Sequence, residues 1–211
     1  MLDPYLYKDC AVLINKLGIR DGDLLDLAEV EFSCNAINDL LTNPIPGDYD
    51  FLHLCRFHAR IFGDVYDWAG QPRTVPIEKA EAVLGYMTIE YALPQEIETA
   101  ATEVLQRLNT TQWHTLTSEE QAKAISEGLA DLWKVHPFRE GNTRTTVTFI
   151  CQFAESKGLP LDRVLFEQNA AYVRSALVAA SAIFRDGDFR KPEYLMRIVA
   201  DSLERGAKKE T

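Results

Sequence analysis

The sequence predicts an all-α fold carrying one small β-hairpin. Three observations lead there. Apolar residues recur at helical spacing along most of the chain, and breaks rich in proline and glycine separate the runs. Only residues 63–86 lose the helical period.

Taken in order, Asp3-Pro4-Tyr5-Leu6-Tyr7 is a turn with three apolar anchors, expected to pack as an arm on the body. Leu13, Ile14 and Leu17 predict a short helical run ended by Gly18. Asp21 caps a second helix bearing Leu24, Leu25, Leu27, Ala28, Phe32, Ala36, Ile37 and Leu40, and Asn43-Pro44-Ile45-Pro46-Gly47-Asp48 breaks it. Asp50 caps a third, with Leu52, Leu54, Cys55, Phe57, His58 and Ile61. Trp68-Ala69-Gly70-Gln71-Pro72 is turn material. Arg73-Thr74-Val75-Pro76-Ile77 reads as an extended piece whose internal proline suits an edge strand, so the hairpin is placed there.

Helices resume from about Thr88. Ile97, Ala101, Val104, Leu105 and Leu108 form one apolar stripe. Thr117-Ser118-Glu119-Glu120 matches a capping box before Ile125, Leu129, Leu132 and Trp133, and Pro137 ends that helix at His136. The next helix holds Val147, Phe149, Ile150, Phe153 and Ala154 and stops at Lys157-Gly158-Leu159-Pro160. Asn169 to Phe184 and Lys191 to Leu203 predict two more, with Gly206 to Thr211 a frayed tail.

Composition narrows the function. A net charge of -10 argues against a nucleic-acid surface and against an anionic membrane. No basic region followed by an apolar run opens the chain, and no stretch is long and apolar enough to span a bilayer, so a cytoplasmic protein is expected. Cys10, Cys34, Cys55 and Cys151 lie far apart among apolar neighbours and read as free thiols. His53, His58 and His114 lack metal-ligand spacing and read as packed or surface residues.

The chemistry concentrates in His136-Pro137-Phe138-Arg139-Glu140-Gly141-Asn142-Thr143-Arg144, a loop between two helices. Its second half faces the positive end of the following helix, where exposed N–H groups and Gly141 suit a phosphate. Arg144 adds a bidentate charge. Glu140 suits Mg²⁺, which takes one or two carboxylates together with phosphate oxygens and water. His136 suits removal of a proton from a hydroxyl near neutral pH. Base, metal ligand and anion site together describe transfer of a phosphorus-containing group.

These residues resemble the signature of the Fic family, H-P-F-x-[D/E]-G-N-G-R-x-x-R, in His136, Pro137, Phe138, Glu140, Gly141, Asn142 and Arg144. Asp3 to Tyr7, Asn15 to Ile19 and Tyr66 to Gln71 also look like family sequence. The resemblance implies one helical domain over 1–211, its core at about 50–185, with an N-terminal helical arm and a C-terminal helix. It implies transfer of AMP from Mg-ATP to a Ser, Thr or Tyr hydroxyl of a protein target or of the chain itself, as a toxin or regulator. On this chain His136 would be the base and Glu140 the Mg²⁺ ligand. Phe138, Arg139, Gly141, Asn142, Thr143 and Arg144 would form the nucleotide cradle, Phe138 also anchoring the loop in the core. Asn169 and Tyr172 would contribute to an adenine pocket, core packing being the equal alternative for Tyr172. The segment around Arg73, Thr74, Val75, Ile77 and Lys79 would be a flap that holds a target in extended form by main-chain bonds.

Two departures stand out. Thr143 replaces the signature's second glycine, where relatives called Doc carry lysine and transfer phosphate with ATP reversed. Val147 replaces the final arginine, and Ser33-Cys34-Asn35-Ala36-Ile37-Asn38 matches the inhibitory pattern [S/T]-x-x-x-E-[G/N] except for Ile37. Both halves of an inhibitory ion pair are then missing, which leaves no lone buried charge. Ser33 to Asn38 also reads, on the residues themselves, as plain core-facing helix. A separate small antitoxin chain is compatible with the sequence. A Doc-like kinase and a fold member that binds nucleotide or a partner without chemistry remain the competing readings.

Overall fold

The computed structural model describes residues 3–184 and 187–209; Met1, Leu2 and the Glu210–Thr211 end of the expected tail lie outside them. Among the described residues there are eight α-helices: α1 Gly22–Thr42, α2 Phe51–Phe62, α3 Ile97–Thr110, α4 Ser118–Val135, α5 Asn142–Ser156, α6 Arg163–Gln168, α7 Ala170–Ala180 and α8 Glu193–Lys209. A two-stranded antiparallel ladder pairs β1 (Ile183–Phe184) with β2 (Gly187–Asp188), Ile183 opposite Asp188.

The helix starts follow from their caps. The Asp21 carboxylate accepts from Leu24 N, the Asp50 carboxylate from His53 N, and Thr117 and Glu120 exchange bonds as a capping box. Helix α4 is the central element, packed against α3, α5, α7 and α8, with Leu132 and Trp133 wholly buried. Helix α2 joins α1, α3 and α5 on the other side. The apolar core runs continuously from Leu25 of α1 to Val199 of α8.

Several expectations are corrected. Residues 13–17 form no helix: Leu6 bridges Leu13, and Ile14 N donates to Tyr5 O. The buried Asn15 amide donates to Leu13 O and Ile19 O and accepts from Ile19 N, so its side chain replaces a helical ladder. The regular strand pair lies at 183–188, not at 73–77. Around residue 73 a single bridge, Glu81 to Met87, closes a turn, while Arg73 N is held by Pro137 O and Thr74 N by the Tyr5 hydroxyl. Helix α7 stops at Ala180, and the unpredicted short helix α6 precedes it.

The tail is helical through Lys209. Gly206 is the reason it can be: a Cβ there would lie 1.9 Å from Pro160 O, so only glycine lets α8 cross that turn. The buried stripe of α1 also differs from the apolar one expected, since it includes Glu29 and Ser33 beside Leu25 and Leu40.

Candidate active site

Helix α4 ends at His136 in the left-handed conformation, φ 51, which turns the imidazole back under the helix end. His136 is fully buried between Trp133, edge-on at 5.2 Å, and Tyr91, at 4.1 Å. Its Nδ1 lies 3.2 Å from Trp133 O. A carbonyl only accepts, so Nδ1 carries the proton and Nε2 presents its lone pair. Among the described residues Nε2 has no partner. Burial, reinforced by the positive charges of Lys79, Arg174 and Arg73, pushes the imidazole well below its ordinary 6.5.

The loop beyond is built around reciprocal bonds. Asn142 Oδ1 accepts from Phe138 N and its Nδ2 donates to Phe138 O, both at 2.8 Å. Phe138 is buried and stacks 3.8 Å from His58. The His58 ring accepts from Gly70 N at 2.8 Å and donates to Glu140 O at 3.0 Å, and burial pushes it down to about 3. Gly141 then starts α5 at φ 78, with no side chain capping the helix end. The first N–H groups of α5 thus have no helical acceptor.

Charged side chains close over this end. Lys79 Nζ is 2.9 Å from the Glu140 carboxylate. Burial raises the Glu140 carboxyl, but Lys79, the Gly141 N–H and Arg144 outweigh it and hold it below the ordinary glutamate value. Arg174 of α7 pairs with Glu81 at 2.5 Å. On the far side of α5, Arg144 pairs with Glu29, donates to Ser33 Oγ at 2.7 Å and lies over the Phe62 ring.

The Fic/DOC family model matches residues 48–154, just over half of the chain and the stretch from α2 through this loop into α5. The chain belongs to the Fic/DOC family. It is 34% identical over 161 residues to the protein adenylyltransferase VbhT of Bartonella schoenbuchensis, covering 76% of this chain and 32% of VbhT. It is 34% identical over 168 residues to the probable protein adenylyltransferase y4lH of Sinorhizobium fredii, covering 78% of this chain and 82% of y4lH. The chain thus spans about a third of one relative and most of the other. Its fold matches the BepC effector of Bartonella tribocorum, a structure with bound AMPPNP, at a TM-score of 0.77 and 21% identity, over 94% of this chain and 95% of that one. All-α architecture and Fic membership agree with the sequence reading.

Within this Fic domain several of the loop residues are engaged in structural contacts. Phe138 and the Asn142 side chain are turned inward and shape the loop. Arg139 is tied to Asp3 at 2.8 Å, which pins the N-terminal arm to the loop. Arg144 is held by α1. Asn169 donates to Leu165 O between α6 and α7. Tyr172 donates to Tyr194 O and lines a cavity of about 810 Å³ with Val83, Leu84 and Met87.

Of the expected flap residues, Arg73 is buried, with Nε on His136 O and its other donors on Val75 O and Ala92 O. It fixes the loop from below. Thr74 N is taken by Tyr5, and Lys79 N donates to Thr88. Val75 and Ile77 are the two whose N–H groups lack a partner among the described residues.

Sequence reasoning missed Glu29, Glu81, Tyr91 and Arg174, which lie far from the loop in sequence. It read His58 as merely packed, although His58 holds the Glu140 carbonyl.

Proposed function

We propose that this chain is a protein adenylyltransferase, moving AMP from Mg-ATP to a Ser, Thr or Tyr hydroxyl of a protein target or of itself. The observation that carries it is the His136 imidazole, neutral and oriented by Trp133, with an unpartnered Nε2 just before the open N-terminus of α5. The target hydroxyl oxygen bonds the α-phosphorus while the bond to the pyrophosphate oxygen breaks. The hydroxyl proton passes to His136 Nε2, and pyrophosphate leaves. The α5 N–H groups receive the developing phosphate charge. Glu140, kept ionised, would hold Mg²⁺ as its one protein carboxylate, with phosphates and water completing the shell, and the ion would neutralise phosphate charge. The exposed main chain near Val75 and Ile77 takes the target as an added strand.

Label transfer from ATP to protein, with and without a cell lysate, tests the reading. Label from α-phosphate, lost in His136→Ala, is the expected result. Label only from the γ-position would overturn it in favour of a kinase, and no label from either would overturn the enzymatic reading.

Inhibition in cis is absent in this reading. Ile37 and Val147 line one cavity of about 390 Å³ between α1 and α5, its rim formed by Thr143 and Arg144. Two apolar side chains thus line one cavity where an ion pair would otherwise stand, an arrangement compatible with a separate small antitoxin chain. Ile37→Glu with Val147→Arg should lower turnover severalfold; unchanged turnover would count against it.

A further inference from the structure

Arg174 is a cation in this site that the loop signature does not account for. It extends from α7 across the Trp133 indole, its guanidinium 5.3 Å from the ring centre. Nη1 reaches Thr143 Oγ1 at 3.4 Å, and the same hydroxyl accepts from Trp133 Nε1 at 2.9 Å. Thr143 is in the first turn of α5, so the guanidinium faces the end of the helix where N–H groups are unpaired. Its remaining contact is Glu81 of the turn bridged to Met87, whose carboxylate also accepts from Tyr91 and is only 10% exposed. An arginine with one fork on a first-turn threonine and the other on the Glu81 carboxylate has a partner that an incoming anion can replace.

Resting on the adenylyltransferase reading, we propose that Arg174 binds the distal phosphates of ATP, and that Glu81 occupies it until the nucleotide arrives. This gives the site a phosphate-binding cation although position 147 is valine. It also gives Thr143 a role: its hydroxyl, fixed by Trp133, aims the guanidinium along α5. Exchange of Glu81 for phosphate breaks the ion pair between residue 81 and α7, so nucleotide occupancy is coupled to the segment that follows the target-binding residues. Arginine suits this because its planar fork matches a phosphate bidentately, and a lysine replacement retains charge without the fork.

Calorimetric binding of ATP, AMP and adenosine, with Mg²⁺ and in a His136→Ala background that prevents turnover, tests it. Arg174→Ala should weaken ATP by roughly tenfold to a hundredfold, as for a charged hydrogen bond, and leave adenosine unchanged. Arg174→Lys should recover part of the loss. Glu81→Gln, which removes the competitor, should tighten ATP. Equal weakening of ATP, AMP and adenosine would mean that Arg174 only supports the fold, and unchanged ATP affinity in Arg174→Ala would likewise overturn the proposal while leaving the adenylyltransferase reading in place. No ATP binding by the chain with Arg174 intact would overturn both.

Discussion

Replacing His136 with asparagine should lower AMP transfer by roughly a hundredfold to ten-thousandfold, the usual contribution of a positioned base. Asparagine is the informative substitution because residue 136 sits at φ 51, a region asparagine tolerates better than most residues. The expected result is loss of transfer with little loss of fold. The pH dependence carries more information. His136 is pushed well below 6.5 by burial and by Lys79, Arg174 and Arg73, so the base is already deprotonated at pH 6.5. Transfer should therefore be flat through pH 6.5 to 8 on its acid side and decline only at lower pH. A limb centred near 6.5 would show that the reacting base is a solvated imidazole, not this one.

The same burial gives a stability signature whose sign is fixed. Folded His58 and His136 exclude protons that the unfolded chain binds below about 6.5. Their neutral burial is compatible with full stability above that pH, and stability falls as the solution becomes more acid. In His136→Asn one of the two contributions is gone. Urea midpoints measured from pH 7 to pH 5 should fall less steeply in the variant, and an equal slope would contradict the assigned burial of a neutral ring.

How much of this was legible in the sequence depends on the range of the interaction. Asp21, Asp50 and Thr117 act on groups within three residues, and each helix starts where its side chain says. The His136 loop was legible for the same reason, its staple joining Phe138 to Asn142. Failures came where a polar side chain satisfies backbone far away or off-period. Asn15 displaces a helix that apolar spacing predicted. Arg73 looked like an exposed edge residue, yet its partners at His136 and Ala92 bury it. Glu29 and Ser33 lie on the inward stripe of α1 because Arg144 meets them there. Composition shows none of these pairings, since either partner alone reads as surface.

Gly141→Ala should damage both the fold and the transfer reaction. At φ 78 an added Cβ is strained by roughly 1–2 kcal/mol whatever surrounds it. It would also stand 2.3 Å from two carbons of the Phe62 ring. That ring is fully buried, with His58 on one side at 4.9 Å and Arg144 over it at 4.8 Å, so it cannot swing clear without unpacking both. Overpacking of this kind adds a further ~1–3 kcal/mol. For a chain of this size the sum corresponds to a melting temperature lower by about 5–15 °C. Whatever moves to relieve the clash is either the ring, and with it His58 and its bond to Glu140, or the loop that joins His136 to α5. Transfer should accordingly fall by more than the loss of folded protein explains, since small displacements of reacting groups are costly. Adding Phe62→Leu to Gly141→Ala separates the two terms. Removing the ring's edge should recover the steric part of the stability while the backbone strain persists. A single variant that melts within a degree of the parent would mean that the loop does not pass this close to α2.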